Sequence, residues 1–171
     1  MKQIIQAIAV HKKKILIGFV SIIVIIQFFR PERNDGSVSS PNDITVATAM
    51  SPEVKGILET SCFDCHSDRT NYPWYTNIQP VGWFLANHVT DGKQEINFSQ
   101  FNTYSIRRKV KKFHEISEQL EKGEMPLDSY LWIHRDAVLN EGQKKILMDW
   151  ANKNRMILEK KYPDSVKKNR F

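Results

Sequence analysis

Outside one five-residue stretch this chain has no cysteine. Cys62 and Cys65 are its only two, so no second thiol pair exists to complete a structural zinc site, which takes about four protein ligands. His88, His114 and His134 do not supply the missing pair, because no two of them are spaced as one. Strand signals are lacking too. No segment alternates apolar and polar residues convincingly, and no internal repeat is present. The βαβ setting of a thioredoxin-like dithiol is therefore absent. No general acid–base or nucleophile set stands out, so the chain is expected not to be an enzyme.

Acidic residues are missing from the amino end. Residues 1–30 carry Lys2, Lys12, Lys13, Lys14 and Arg30 and no Asp or Glu. Residues 153–171 hold seven bases and two acids, whereas 31–152 hold 13 bases and 17 acids. The formal net charge of +6 thus belongs to the two ends. A nucleic-acid partner is not expected, since that needs a basic face on the folded part.

Charge of either sign is absent from Ile15 to Phe29, ILIGFVSIIVIIQFF. As a helix this run spans about 22 Å, short of a hydrocarbon core about 30 Å thick. Snorkelling of Lys12–Lys14 and local thinning of the bilayer would close the difference. A cleaved signal peptide is the rival reading, but the chain from the end of the run onward, QFFRPERN, includes no small-residue cleavage site. A core helix fits poorly, because the run is apolar on every face. Residues 1–30 are expected to be a single-pass membrane anchor with its amino end in the cytoplasm, which puts the rest outside it.

Residues 31–50, rich in Pro, Ser, Asn and Asp, read as a flexible linker. A folded domain is expected over 51–152 and a basic tail over 153–171. Ser51-Pro52-Glu53 is a helix start, and Val54, Ile57, Leu58 and Cys62 follow at helical spacing. A short helix is predicted from Trp83 to Asp91, stopped by Gly92. Ile106, Val110, Phe113 and Leu120 mark another that ends at Gly123. Asn140 and Gln143 form a capping-box pattern ahead of Ile146, Leu147, Trp150 and Ala151. The fold class is all-α.

With zinc and a thioredoxin-like site excluded, Cys62-Phe63-Asp64-Cys65-His66 leaves two readings. A local disulfide would not require His66. Attachment of a c-type haem uses every element of C-x-x-C-H: two thiols for the two vinyl groups and an imidazole for the iron. A second axial ligand is usually Met or His. Met125 is the candidate, in a Gly-Glu-Met-Pro loop after a helix, and His88 is the runner-up. Tyr72, Trp74, Tyr75 and Trp83 could wall a porphyrin or make an ordinary small core.

Together, the stretches CFDCHSDRTNYPWYTNIQPVGW, HVTDGKQEINFSQF and GEMPLDSYLWIHRDAVLNEGQKKILMDW resemble a family of membrane-anchored, cytochrome-c-like haem-binding domain proteins. The resemblance covers about residues 54–151. It implies a small helical domain around one covalent haem c, with Cys62 and Cys65 as thioether donors, His66 as axial ligand and Met125 at the family's Met-Pro position. Where c-type cytochromes commonly carry two prolines after that Met, this chain has Pro126-Leu127. The expected function is electron transfer to an unknown redox protein at the outer face of the cytoplasmic membrane. The alternative is a haem-based small-ligand sensor, or a binding subunit of a larger membrane complex. Five bases, Arg107, Arg108, Lys109, Lys111 and Lys112, form a further candidate feature, either facing solvent, pairing one or two of their number with the haem propionates, or orienting an acidic redox partner.

Overall fold

The computed structural model describes residues 2–37 and 40–166, with side chains from His11 onward. Residue 1 of the expected anchor, residues 38 and 39 of the linker and residues 167–171 of the tail lie outside these. The described chain is helical, and its one isolated β-bridge pairs Asp35 with Arg69. In order the helices are α1 (Lys2–Ile26), α2 (Ile44–Ala47), α3 (Pro52–Ser61), α4 (Phe63–His66), α5 (Val81–Glu95), α6 (Ile106–Lys122), α7 (Asp128–Leu131), α8 (Glu141–Lys161) and α9 (Pro163–Val166). The chain divides into two compact units, Met1–Arg33 with Tyr72–His88 and Asn34–Asn71 with Val89–Phe171.

In the first unit, the foot of α1 is pinned to the loop before α5. The Gln27 side chain donates to the Gln79 carbonyl (3.1 Å) and accepts from the Gln79 amide (2.9 Å). Trp83 Nε1 donates to the Phe29 carbonyl at 2.6 Å. The Arg33 guanidinium lies 4.0 Å from the centre of the Tyr72 ring. Gln79 Oε1 also caps α5 by accepting from the Trp83 amide. Further up, Ile15, Leu16, Ile17, Phe19, Val20, Ile22, Val24 and Ile25 are all exposed, on every side of the helix. Helical structure ends at Ile26, not Phe29, and Lys12–Lys14 lie within α1. Among the described residues no helix is long and apolar enough to cross a membrane. The single transmembrane helix expected from the sequence is therefore not found there.

The second unit is built on α6 packed against α8. Phe113 of α6 is fully buried, with Phe101 and Trp150 rings edge-on to it at 5.1 and 5.5 Å. Leu58, Ile44 and Leu147 complete the centre. The helix ends follow their sequence signals. Ser51 Oγ accepts from the Val54 amide. Asn140 and Gln143 make both bonds of the capping box, at 2.9 and 3.0 Å. Gly123 closes α6 at φ 69°, a left-handed conformation that costs glycine little.

Three boundaries differ from the sequence reading. The expected linker is ordered in its second half: Asp43 caps α2, Ile44 is fully buried, and the Asn42 carbonyl accepts from the Asn102 amide at 2.8 Å. One apolar residue with a core to enter outweighed a polar composition. Gly92 does not stop α5, which runs on to Glu95. The basic tail is helical from Lys153 to Lys161 as the continuation of α8.

Candidate haem-binding site

α3 delivers Cys62, whose amide still bonds back to the Leu58 carbonyl at 2.9 Å. The chain then turns through α4, where the Cys65 and His66 amides both point at the Cys62 carbonyl, at 3.3 and 3.0 Å. Residues three and four apart on a helical turn share one side. One turn thus groups both thiols and the imidazole. Cys62 and Cys65 are free and half-buried. Burial, then the neighbouring Cys65, pushes the Cys62 thiol up to about 12. Burial, then Asp64, pushes Cys65 up to about 11. A dithiol built for exchange lowers a thiol pKa instead, so the electrostatics run against a redox pair. Among the described residues no group of three or more His, Cys, Asp or Glu could hold a metal ion.

His66 is held from one side. Its Nδ1 lies 2.8 Å from the Gly92 carbonyl oxygen and 3.1 Å from that of Ile96, both at the end of α5. Carbonyls only accept, so Nδ1 carries the proton and Nε2 carries the lone pair. Burial lowers the His66 pKa, against carbonyl bonds that pull the other way, and keeps the ring neutral. A hydrogen bond that fixes the tautomer and leaves the other nitrogen basic is the usual support for a metal-bound imidazole. Phe98 sits 5.8 Å from the His66 ring and Phe63 sits 5.4 Å from Phe98. Two thiols and one oriented, neutral imidazole on a single turn fit a c-type haem.

α5 comes this close because residue 92 is glycine. A Cβ there would stand 2.7 Å from the Cys65 carbonyl oxygen. The residues after His66 are braced as well. Asp68 accepts from Asn97 and Gln100, each at 2.8 Å, and pairs with Lys93 at 3.0 Å. Burial raises the Asp68 pKa, but bonds from Gln100, Asn97 and Lys93 outweigh it and leave the carboxyl below its usual range. Asn34 donates to the Ser67 carbonyl and to Thr70 Oγ1, both at 2.9 Å.

Asp64, between the two cysteines, joins this turn to a distant segment. Its carboxylate accepts from the Asn71 amide at 3.0 Å and from the Tyr130 hydroxyl at 2.9 Å. Burial and then Asp64 push the Tyr130 phenol up, so it stays a donor. Met125 is half-buried in the bend between α6 and α7, five positions before Tyr130.

The remaining candidates are described within their own unit. Tyr72, Trp74, Tyr75, Trp83 and His88 belong to the first unit. Trp74 is 76% exposed, Tyr72 lies under the Arg33 guanidinium and Trp83 donates to the Phe29 carbonyl. His88 stands inside α5 instead of at a helix end, its Nδ1 2.8 Å from the Phe84 carbonyl oxygen of its own helix. The five bases of α6 do not form a free patch. Buried Lys112 pairs with Glu95 (3.3 Å) and Glu115 (2.7 Å), and Lys111 also pairs with Glu115. Arg108 covers the Tyr104 ring, and Lys109 donates to Asn102.

Sequence reasoning missed Gly92, Phe98, Asp68, Asp64 and Tyr130. Gly92 had a usable signal, a glycine inside a helical pattern, which often marks close packing. The others depend on long-range pairing that spacing does not report.

Residues 21–153 match the model of a family described as a haem-binding domain. No curated protein and no solved structure matches the chain.

Proposed function

The chain belongs to the haem-binding domain family, and on that premise we propose that it holds one covalent haem c and passes single electrons at a membrane surface. The observation that carries this reading is the His66 imidazole, neutral and fixed through Nδ1, one turn from two protonated thiols. Cys62 and Cys65 would hold the porphyrin as thioethers and His66 would be the proximal ligand. Met125 would be the second axial ligand. A bound haem supplies reversible one-electron exchange at iron, and a thioether ligand favours the reduced state relative to a second imidazole. The protein's part is to fix the ligands, exclude water with Phe63, Phe98 and the core behind them, and offer a docking surface to a redox protein.

The membrane part of the proposal rests on α1. The stretch Ile15–Ile26 of α1 is apolar on every face and has no side suited to water, and among the described residues its large apolar side chains are exposed from Ile15 to Ile25. We place it in the lipid, with Lys12–Lys14 at the headgroups. Attachment of c-type haem takes place outside the cytoplasm, so the second unit would face that side.

Expression alongside c-type maturation machinery tests the reading. Cys62→Ser or Cys65→Ser should lose most covalent haem, and His66→Ala should lose the native spectrum. Met125→Ala should give a high-spin, CO-reactive protein. A His88→Ala variant that opens the iron while Met125→Ala does not would reassign the sixth ligand. Rapid CO binding by the unaltered reduced protein would favour a small-ligand sensor.

A further inference from the structure

Resting on the reading of Met125 as sixth ligand, we propose that Tyr130 and Asp64 form a latch that keeps the Met125 loop closed on the Cys62–His66 turn. Tyr130 is then a positioning residue: it acts on the site through the loop and not by touching the iron.

The geometry of the latch is one-sided and tight. Both carboxylate oxygens of Asp64 are engaged, one by the Asn71 amide and one by the Tyr130 hydroxyl. The Asp64 carbonyl accepts from Thr70 Oγ1 at 2.6 Å, which fixes the backbone that carries the carboxylate. Tyr130 is equally fixed. Its ring stacks on His134 with centres 4.1 Å apart and planes 8° from parallel. Its amide bonds to the Leu127 carbonyl at 2.9 Å, which locks the ring to the residue after Pro126.

The segment is half-buried from Met125 to Leu127, and Ala137, three positions past His134, is fully buried. α7 has four residues, none of them buried, and no side-chain cap at its start. Trp132 and Ile133, immediately beyond it, are exposed. Leu127 and Leu131 are only half-buried, so apolar burial docks this stretch in part. A hydrogen bond from a phenol to a carboxylate is among the stronger ones, and its partner lies inside the C-x-x-C-H turn itself. A loop that such a bond helps to hold has two states, and loss of the bond shifts the population toward the open one.

Tyr130→Phe is the test, because it removes one oxygen and keeps the stack on His134. Four readouts on the full chain are needed: covalent haem by intact mass, the denaturant midpoint, the methionine–iron charge-transfer band of the ferric form, and the CO association rate of the ferrous form. The latch predicts unchanged covalent haem, a nearly unchanged midpoint, a weakened band and CO binding faster by on the order of tenfold or more. Asp64→Asn, whose single amide oxygen cannot accept from both the Asn71 amide and the phenol and which removes the charge, should fall between the wild type and Tyr130→Phe. A double variant Tyr130→Phe, Asp64→Ala should bind CO no faster than Asp64→Ala alone. An unchanged band and CO rate in Tyr130→Phe overturn the latch while leaving Met125 as ligand. A CO rate that rises only in step with a falling midpoint shows an ordinary structural bond and also overturns it. A wild type with covalent haem but no such band overturns the Met125 reading, and the latch with it.

Discussion

Gly92 is the residue on which the approach of α5 to the cysteine turn depends. With a hydrogen as its side chain, its carbonyl reaches His66 Nδ1; a methyl group there would meet the Cys65 carbonyl oxygen at 2.7 Å. Gly92→Ala should gain up to about 1 kcal/mol of helix propensity and lose about 1–3 kcal/mol to overpacking. The expected net result is a lower urea midpoint and less covalent haem, read by circular dichroism and haemochrome yield. A more stable variant with full haem would show that the contact is slack. The charged groups around the same turn make an acid prediction. His66 has its folded pKa below its ordinary value of 6.5, so the unfolded chain takes up that proton first. The haem-free protein should then lose stability as pH falls below about 6.5. Asp68 and Glu115 are held below their ordinary values. Their contribution is present above the unfolded carboxylate range, about 4, and is lost as pH falls through the folded values. Urea midpoints of the haem-free chain against pH should therefore drop in two stages. A flat profile from pH 7 to 4 would contradict the His66 assignment.

Among the elements, α6 shows how a helix with a misplaced charge pattern stays stable. Bases crowd its first turns, where the helix dipole disfavours them. Lys112 is drawn in by Glu95 and Glu115, and Arg108 lies on Tyr104. Burial of its apolar side stabilises the helix more than these charge contacts do. Phe113→Ala should cost about 3–5 kcal/mol of stability, measured by urea unfolding. A cost near zero would mean that the α6–α8 contact is not the core. The same elements show what spacing can report. Val110, Phe113 and Leu120 recur at helical period, and Gly123 and Asn140 carry capping chemistry, so α6 and α8 could be read directly. Three residues, Cys, Cys and His, made the site legible because all of them lie on one turn. Ile44 could not be read as core from a polar neighbourhood. Asp64–Tyr130 spans 66 positions, a distance over which periodicity carries no information. Gly92 reads as a stop in the sequence because glycine ends helices more often than it packs inside them.

At the scale of the whole molecule, α1 and the haem turn make separate demands. α1 exposes large apolar side chains all around from Ile15 to Ile25, which the proposed lipid seating would cover. The full chain should stay with membranes through high salt and leave them in detergent, followed by immunoblot of the fractions. Recovery in the soluble fraction at high salt, with residues 1–30 present, would contradict lipid seating. The haem turn makes the more central demand, and one measurement addresses it directly: intact mass of the chain after acid–acetone extraction, from cells that mature c-type cytochromes. The account predicts the polypeptide plus one haem, with the haem lost when Cys62 and Cys65 are both changed to alanine. A chain that leaves its haem in the acetone, or a double variant that keeps it covalently, would contradict the account.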